Sequence, residues 1–238
     1  MPRTATFATF IALLSVVLLA TPVAAQQSLS FNVGSFALRG EGSRVAGDTI
    51  VENQLATPPF ALEYRVSDFN NATFGVEWLF PLGEFLEGGV GANYYARTVP
   101  SFYRDLVNKA DGSDITQDLR LRTIPMTATI RFIPTGRRAG VQPYIGAGVG
   151  VVAWRYSETG DFLDPNRTIF QWEYKDSGTA VGPVVFGGIR VPVSHTLALG
   201  GEIRYQKADA PLNRTVGFQG DRLDVGGITY QANFIVRF

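Results

Sequence analysis

The chain has 238 residues, 21 basic and 21 acidic, with 26 glycines, 12% aromatic residues and no cysteine. So even a charge argues against a nucleic-acid partner, which wants a basic surplus. Without cysteine there is neither a disulfide nor a thiolate site.

Residues 1–25 read as a secretory signal. Arg3 supplies the positive start, Phe7 to Leu19 an apolar stretch too short for a stable span, and Val23-Ala24-Ala25 the small residues before a cut near Gln26. A single membrane anchor is the alternative reading of this segment. No cysteine follows the small residues, so a lipoprotein anchor is not indicated. Removing Arg3 leaves 20 basic against 21 acidic groups, a formal charge of −1. Residues 26–238 then form one domain. No stretch in it approaches the roughly 18 consecutive apolar residues of a membrane helix. A chain without such helices can cross a membrane only as a closed barrel, because hydrocarbon leaves open backbone groups unsatisfied.

Eight alternating runs are predicted as strands, near 28–39, 72–81, 85–97, 119–132, 142–156, 180–191, 196–207 and 225–238. In the first, Leu29, Phe31 and Val33 share a face while Phe36 and Leu38 fall on the other. A bulge at Gly34-Ser35 would return the latter two to the apolar side. In the second, Phe74, Val76, Trp78 and Phe80 oppose Thr73, Gly75, Glu77 and Leu79. The third sets Val90, Ala92 and Tyr94 against Glu87, Asn93, Tyr95 and Arg97, and the fourth sets Ile124, Met126, Ala128 and Ile130 against Thr127, Thr129 and Arg131. The seventh sets Leu199 and Ile203 against Glu202 and Arg204. A charge on a lipid face at mid-bilayer costs roughly 2–4 kcal/mol, so the charged faces are placed in the lumen. Pro125, Pro143 and Pro183 lie inside these runs, where bulges or lost ladder bonds are expected. In the last run Tyr230, Phe234, Val236 and Phe238 share one face, and the run ends on the aromatic Phe238. That pattern is expected of the closing strand of an outer-membrane barrel.

The connections alternate long and short. Pro81 to Glu84, Pro134 to Gly140 and Pro192 to His195 are short; 40–71, 98–118, 157–179 and 208–224 are long. Short periplasmic turns and long outer loops generate that order. The second long loop offers one or two helical turns over 101–109. The third holds Ile169, Phe170, Trp172 and Tyr174, which either extend the strands above the membrane or contact a partner. Phe80, Phe85, Phe132 and Phe238 at one end, and Tyr94, Trp154, Tyr205 and Tyr230 at the other, read as two interfacial girdles.

The candidate site is in the lumen. Glu77, Glu87 and Glu202 face Arg131, Arg190, Arg204 and Arg237. An eight-stranded interior is just wide enough for side chains to fill, which favours a space-filling ion-pair network over a gated polar pore. Gly146-Ala-Gly148-Val-Gly150 lacks the helix start and acidic partner of a nucleotide loop. His195 is the only histidine and cannot build a zinc site without cysteine. Ser194 beside it points the other way on an extended chain, against a Ser-His hydrolase. No metal, cofactor or catalytic residue is expected.

Taken together, the signal segment, the eight runs, the short turns and terminal Tyr230, Phe234, Val236 and Phe238 resemble the small outer-membrane barrels of the OmpA/OmpX/OmpW type, grouped as "outer membrane protein beta-barrel domain". The resemblance implies an all-β, eight-stranded antiparallel up-and-down transmembrane β-barrel in a Gram-negative outer membrane. It also implies lipid contact and a terminal strand read by the barrel-assembly machinery. It brings no shared catalytic residues and leaves the surface ligand unnamed. The leading reading is a non-enzymatic barrel that helps build the membrane and displays loops. A narrow channel or conduit for small or hydrophobic solutes is the alternative, and a lipid-modifying barrel enzyme the second. A soluble lipocalin-like carrier would reverse the polarity, apolar inward and polar outward.

Overall fold

The computed structural model describes residues 27–108, 111–164 and 166–238. The segment read as a secretory signal lies outside the described residues. Eight strands form the frame: β1 (Ser28–Leu38), β2 (Asn71–Pro81), β3 (Leu86–Val107), β4 (Asp114–Phe132), β5 (Gln142–Leu163), β6 (Ile169–Pro192), β7 (Leu197–Gln206) and β8 (Gly227–Arg237). Every strand pairs antiparallel with the next, and β1 pairs with β8. The ring is therefore closed, an up-and-down barrel without a free edge around its waist.

Outward positions in the lower part are apolar. Trp78, Val90, Ile130 and Leu199 are 37%, 46%, 56% and 51% exposed. On β6 the belt runs from Val191 to Val181. That is about 33 Å of strand, or about 25 Å along the axis at the usual tilt, the height of a membrane-barrel belt. Inward positions at the same levels are Glu77, Glu87, Thr127, Thr129, Arg131, Arg190, Glu202 and Arg204, all buried. Greasy outside and ionic inside is the polarity of a transmembrane barrel and the reverse of a soluble one.

The strands differ in length. β3, β4, β5 and β6 have 22, 19, 22 and 24 residues; β1, β2, β7 and β8 have 11, 11, 10 and 11. The four long strands rise above the ring as a curved sheet. Loop 39–70, with helix α1 (Thr49–Leu55), and loop 207–226 fold against its concave side. Ile50, Phe69, Leu119, Leu121, Tyr156 and Leu223 meet there with no exposed surface. This is an ordinary apolar core, and it forms a cap on the barrel.

Several expectations change. Residues 101–107 are strand, not helical turns, because Val99, Ser101 and Tyr103 bury on one side while their neighbours stay exposed. One expectation holds: loop-three residues Ile169, Phe170, Trp172 and Tyr174 extend β6 above the belt, paired with β5, as the strand-extension reading has it. β1 has no bulge: its register runs unbroken from Ser28 to Leu38 against β8, and from Ser28 to Phe36 against β2. Phe36 and Leu38 therefore stay inward and join the cap core. No register shift occurs at Pro125, Pro143 or Pro183, so the bulges are absent and the lost ladder bonds remain: pairing of β4 with β3 lapses at Pro125 and Ile124, between Met126–Ala92 and Thr123–Tyr95. Pro183 stands one residue beyond Val184, the last β6 residue paired with β7. Trp154 is not a girdle residue. It shares parity with Val152 and Tyr156 and is buried in the cap core.

Candidate functional site

Within the belt, the inward residues of six strands meet across the axis. Glu77 (β2) is bonded by Arg131 (β4), accepts from Thr129 Oγ1 at 3.2 Å and lies 3.3 Å from Arg204 Nη2 (β7). Glu202 (β7) accepts from Arg204 Nε at 2.9 Å, Tyr144 OH at 3.0 Å and Gln231 Nε2 at 3.1 Å, with Arg131 Nη2 at 3.4 Å. Arg131 and Arg204 also stack on Phe186, at 5.1 and 4.9 Å from the ring centre. This central knot spans β2, β4, β5, β6, β7 and β8 and crosses the axis.

A second group lies nearer the short-turn end. Arg190 (β6) reaches Glu87 (β3) at 3.2 Å and donates from Nε to Gln142 Oε1 at 2.8 Å. Arg237 donates to the same Gln142 oxygen at 3.3 Å, and Arg137 Nε stands 3.6 Å from Glu87. Arg131 Nη1 lies 4.0 Å from Glu87 and ties the two groups together. Three carboxylates, Glu77, Glu87 and Glu202, are thus matched by three deeply buried guanidinium groups, Arg131, Arg190 and Arg204. Local neutrality is what allows so many charges below water's reach, since an unpaired buried charge is costly. Glycine makes the room: a Cβ on Gly89 would lie 2.7 Å from both Glu77 Oε1 and Thr129 Oγ1.

All seven lumen residues singled out in the sequence come together. Arg237 sits at the edge, half-buried and bonded only to Gln142 within the group. Sequence reasoning missed Gln142 and Tyr144, whose inward parity on β5 was the available signal. Arg97, placed in the lumen by parity, is instead exposed above the belt and donates from Nε to the carbonyl of Asp68. Tyr230, Phe234 and Phe238 face outward and are exposed, with Val236 half-exposed on the same side. His195 lies in the turn between β6 and β7. Gly146 to Gly150 lie within β5, as strand rather than phosphate loop.

The cap holds a second cluster. Asp48 caps α1, accepting from Ile50 N at 2.9 Å. It also bonds Arg44 at 3.0 Å and the amide of Asp224 at 2.6 Å. Gly47 O accepts from the amides of Asp221 and Arg222, so the first and last outer loops are stitched together. Gly220 lies so near that a Cβ would be 2.5 Å from Thr49 N. From α1, Asn53 Nδ2 reaches across the mouth to Glu158 Oε1 on β5 at 2.7 Å, where Tyr156 OH also donates at 2.9 Å. Glu158 pairs with Leu119 and Tyr174, well above the belt. Burial pushes its carboxyl up to about 7, against the pull of the two hydrogen bonds.

Fold and lumen together define an eight-stranded barrel with inverted polarity, a filled waist and a folded cap. No family model and no curated protein matches the chain. Solved structures that resemble it include a major outer membrane protein from Thermus thermophilus, with TM-score 0.48 and 12% identity over 90% of this chain and 99% of that one. Neisserial surface protein A gives 0.46 and 13% over 90% and 97%. Escherichia coli outer membrane protein W gives 0.37 and 15% over 89% and 97%.

Proposed function

We propose that this chain is an integral protein of a bacterial outer membrane, anchored by a barrel that neither conducts solutes nor catalyses a reaction, and that its role is to carry the folded cap at the surface. The observation that supports this most is the Glu77–Arg131–Glu202–Arg204 knot, which ties β2, β4 and β7 across the axis. Opening a path would expose or unpair several of those charges, at roughly 3–5 kcal/mol for each broken partnership. The buried lumen charges Glu77, Glu87, Glu202, Arg131, Arg190 and Arg204 are engaged with one another. Outer orientation follows the long-loop end, as in barrels with short periplasmic turns.

Planar-bilayer recording on the purified protein tests this reading. The expected result is no stepwise current above protein-free bilayers, both for the full chain and after deletion of α1, because the knot and not the cap is the seal. Discrete conductance in the full chain overturns it.

Two further assignments belong to the same reading. Residues 1–25 are removed as an export signal, checked by amino-terminal sequencing of the membrane form. Tyr230, Phe234, Val236 and Phe238 serve as the signal read by the assembly machinery. Replacing Phe238 by Ser should then lower membrane yield in cells while leaving refolding into micelles unchanged; equal yield in both settings removes the signal role.

A further inference from the structure

Where the belt ends on β4 and β5, the outward residues change abruptly from apolar to cationic. Ile124 and Ala153 are the last pair of the belt; two residues higher, Arg122 stands directly opposite Arg155. The same rung continues to Ala96 on β3 and Ser177 on β6, so no acid flanks the two cations within it. One rung above, Arg120 pairs with Thr98 and Ser157, followed by Lys175. Inward residues of these rungs, Leu119, Leu121, Trp154 and Tyr156, are buried in the cap core, so the arginines have no alternative but to face out. Arg120 and Arg155 are exposed and Arg122 half-exposed. Among the described residues, none of the three takes part in an ion pair or side-chain hydrogen bond. Lys175 differs, since Glu173 lies 3.6 Å away.

Like charges directly opposite on a sheet destabilise it. Two arginines held so, with no internal counter-charge, become favourable once an external anion sits between them. Guanidinium forks suit phosphate oxygens, which they bind in pairs. Height selects the source of the phosphate. A two-residue step on a tilted strand rises about 5 Å. The headgroup layer on each side of the hydrocarbon is about 5–7 Å deep. The rung of Arg122 and Arg155 therefore lies among lipid headgroups, with Arg120 at their outer margin.

We propose that Arg122 and Arg155, assisted by Arg120, form a binding site for the headgroup phosphates of lipid in the leaflet at the long-loop end. Acyl chains of the same lipid lie below, along Ile124, Met126, Val149 and Val151. The site rests on the membrane assignment above and adds a lipid class to it.

The test uses the refolded full-length chain in micelles containing either diphosphoryl lipid A or its dephosphorylated form, with bound lipid read by native mass spectrometry. Wild type should retain the phosphorylated lipid preferentially. Arg122→Gln/Arg155→Gln should weaken that retention about tenfold or more, while Arg138→Gln, in a short turn at the opposite end, should not. Heat-dependent gel mobility establishes that each variant is a folded barrel. Equal retention of the two lipids, or an unchanged double variant, overturns the proposal. So does displacement by inorganic phosphate as effectively as by added phosphorylated lipid, which would mark a general anion site. A protein that inserts into vesicles but shows no preference loses only this site. One that fails to insert at all loses the membrane assignment with it.

Discussion

Strand β4 passes through two environments, and its side chains exchange roles on the way. From Phe132 to Thr123 the outward residues are apolar and the inward ones are Arg131, Thr129, Thr127, Pro125 and Thr123; from Arg122 to Ile115 the outward residues are Arg122, Arg120, Asp118 and Thr116, and the inward ones Leu121, Leu119, Gln117 and Ile115. Strand geometry is the same throughout, with period two. What differs is the solvent on the convex side, hydrocarbon below and water above, and the interior is built to complement it. The waist is held by ion pairs whose value lies in leaving no charge unpaired. The cap is held by burying apolar surface, about 1.5–3 kcal/mol for a fully buried leucine-sized side chain.

That contrast can be broken most severely at the waist. Arg131→Leu removes one of the two guanidinium partners of Glu77, leaving Arg204, and also the Arg131 contact of Glu202, and should cost about 3–5 kcal/mol in urea unfolding from micelles. Adding Glu77→Gln should recover part of the loss, and a double variant no better than the single one would show that the pair is not coupled. Next comes a like-for-like pair on the outside of β4. Ile130→Arg, in the belt, should cost about 2–4 kcal/mol. Thr116→Arg, on the outside of the cap, should stay within about 0.5 kcal/mol. Equal costs would contradict two solvents along one strand.

The cap should respond to pH through Glu158. Its carboxyl holds a proton up to about 7 in the closed cap and to 4.5 when free. Between those values the closed cap binds a proton that the opened one has lost, so closure is strongest below about 4.5, weakens as pH rises, and levels off above about 7. The full effect is on the order of 3 kcal/mol at most. Amide exchange of α1 should therefore be slower at pH 5 than at pH 8 after correction for the intrinsic rate. Glu158→Gln should flatten that difference; a difference that persists in the variant assigns the effect to another group. Barrel amides in the belt should not follow it.

Much of the waist was legible in the sequence. Alternation at Trp78, Val90, Ile130 and Leu199, with Glu77, Arg131 and Glu202 between, admits few arrangements other than lipid outside and charge inside. The cap was harder to read, for a definite reason. Strand parity by itself puts Phe36, Leu38 and Trp154 inward; treating lipid as the only place for a bulky apolar residue, as though one solvent covered the whole strand, is what sends the first two outward through a bulge and Trp154 to a girdle. The signal was present in β5. Its inward series passes from Gly146, Gly148 and Gly150 to Val152, Trp154 and Tyr156, while its outward series passes from Val149 and Val151 to Arg155 and Thr159. Asn53 and Glu158, 105 residues apart in the chain, had no such signal. Their contact depends on loop 39–70 crossing to the far wall, which no local pattern specifies.

The absence of native cysteine allows the most direct measurement. Single cysteines placed along β4 from 116 to 130 can be spin-labelled in vesicles and scored for collision with a lipid-soluble and a water-soluble relaxant. Positions 124, 126, 128 and 130 should respond to the lipid-soluble agent and positions 116, 118 and 120 to the aqueous one, with 119, 121, 127 and 129 shielded from both. A single response along the whole outward face, or lipid contact at 119 and 121, would contradict the inversion of polarity between waist and cap.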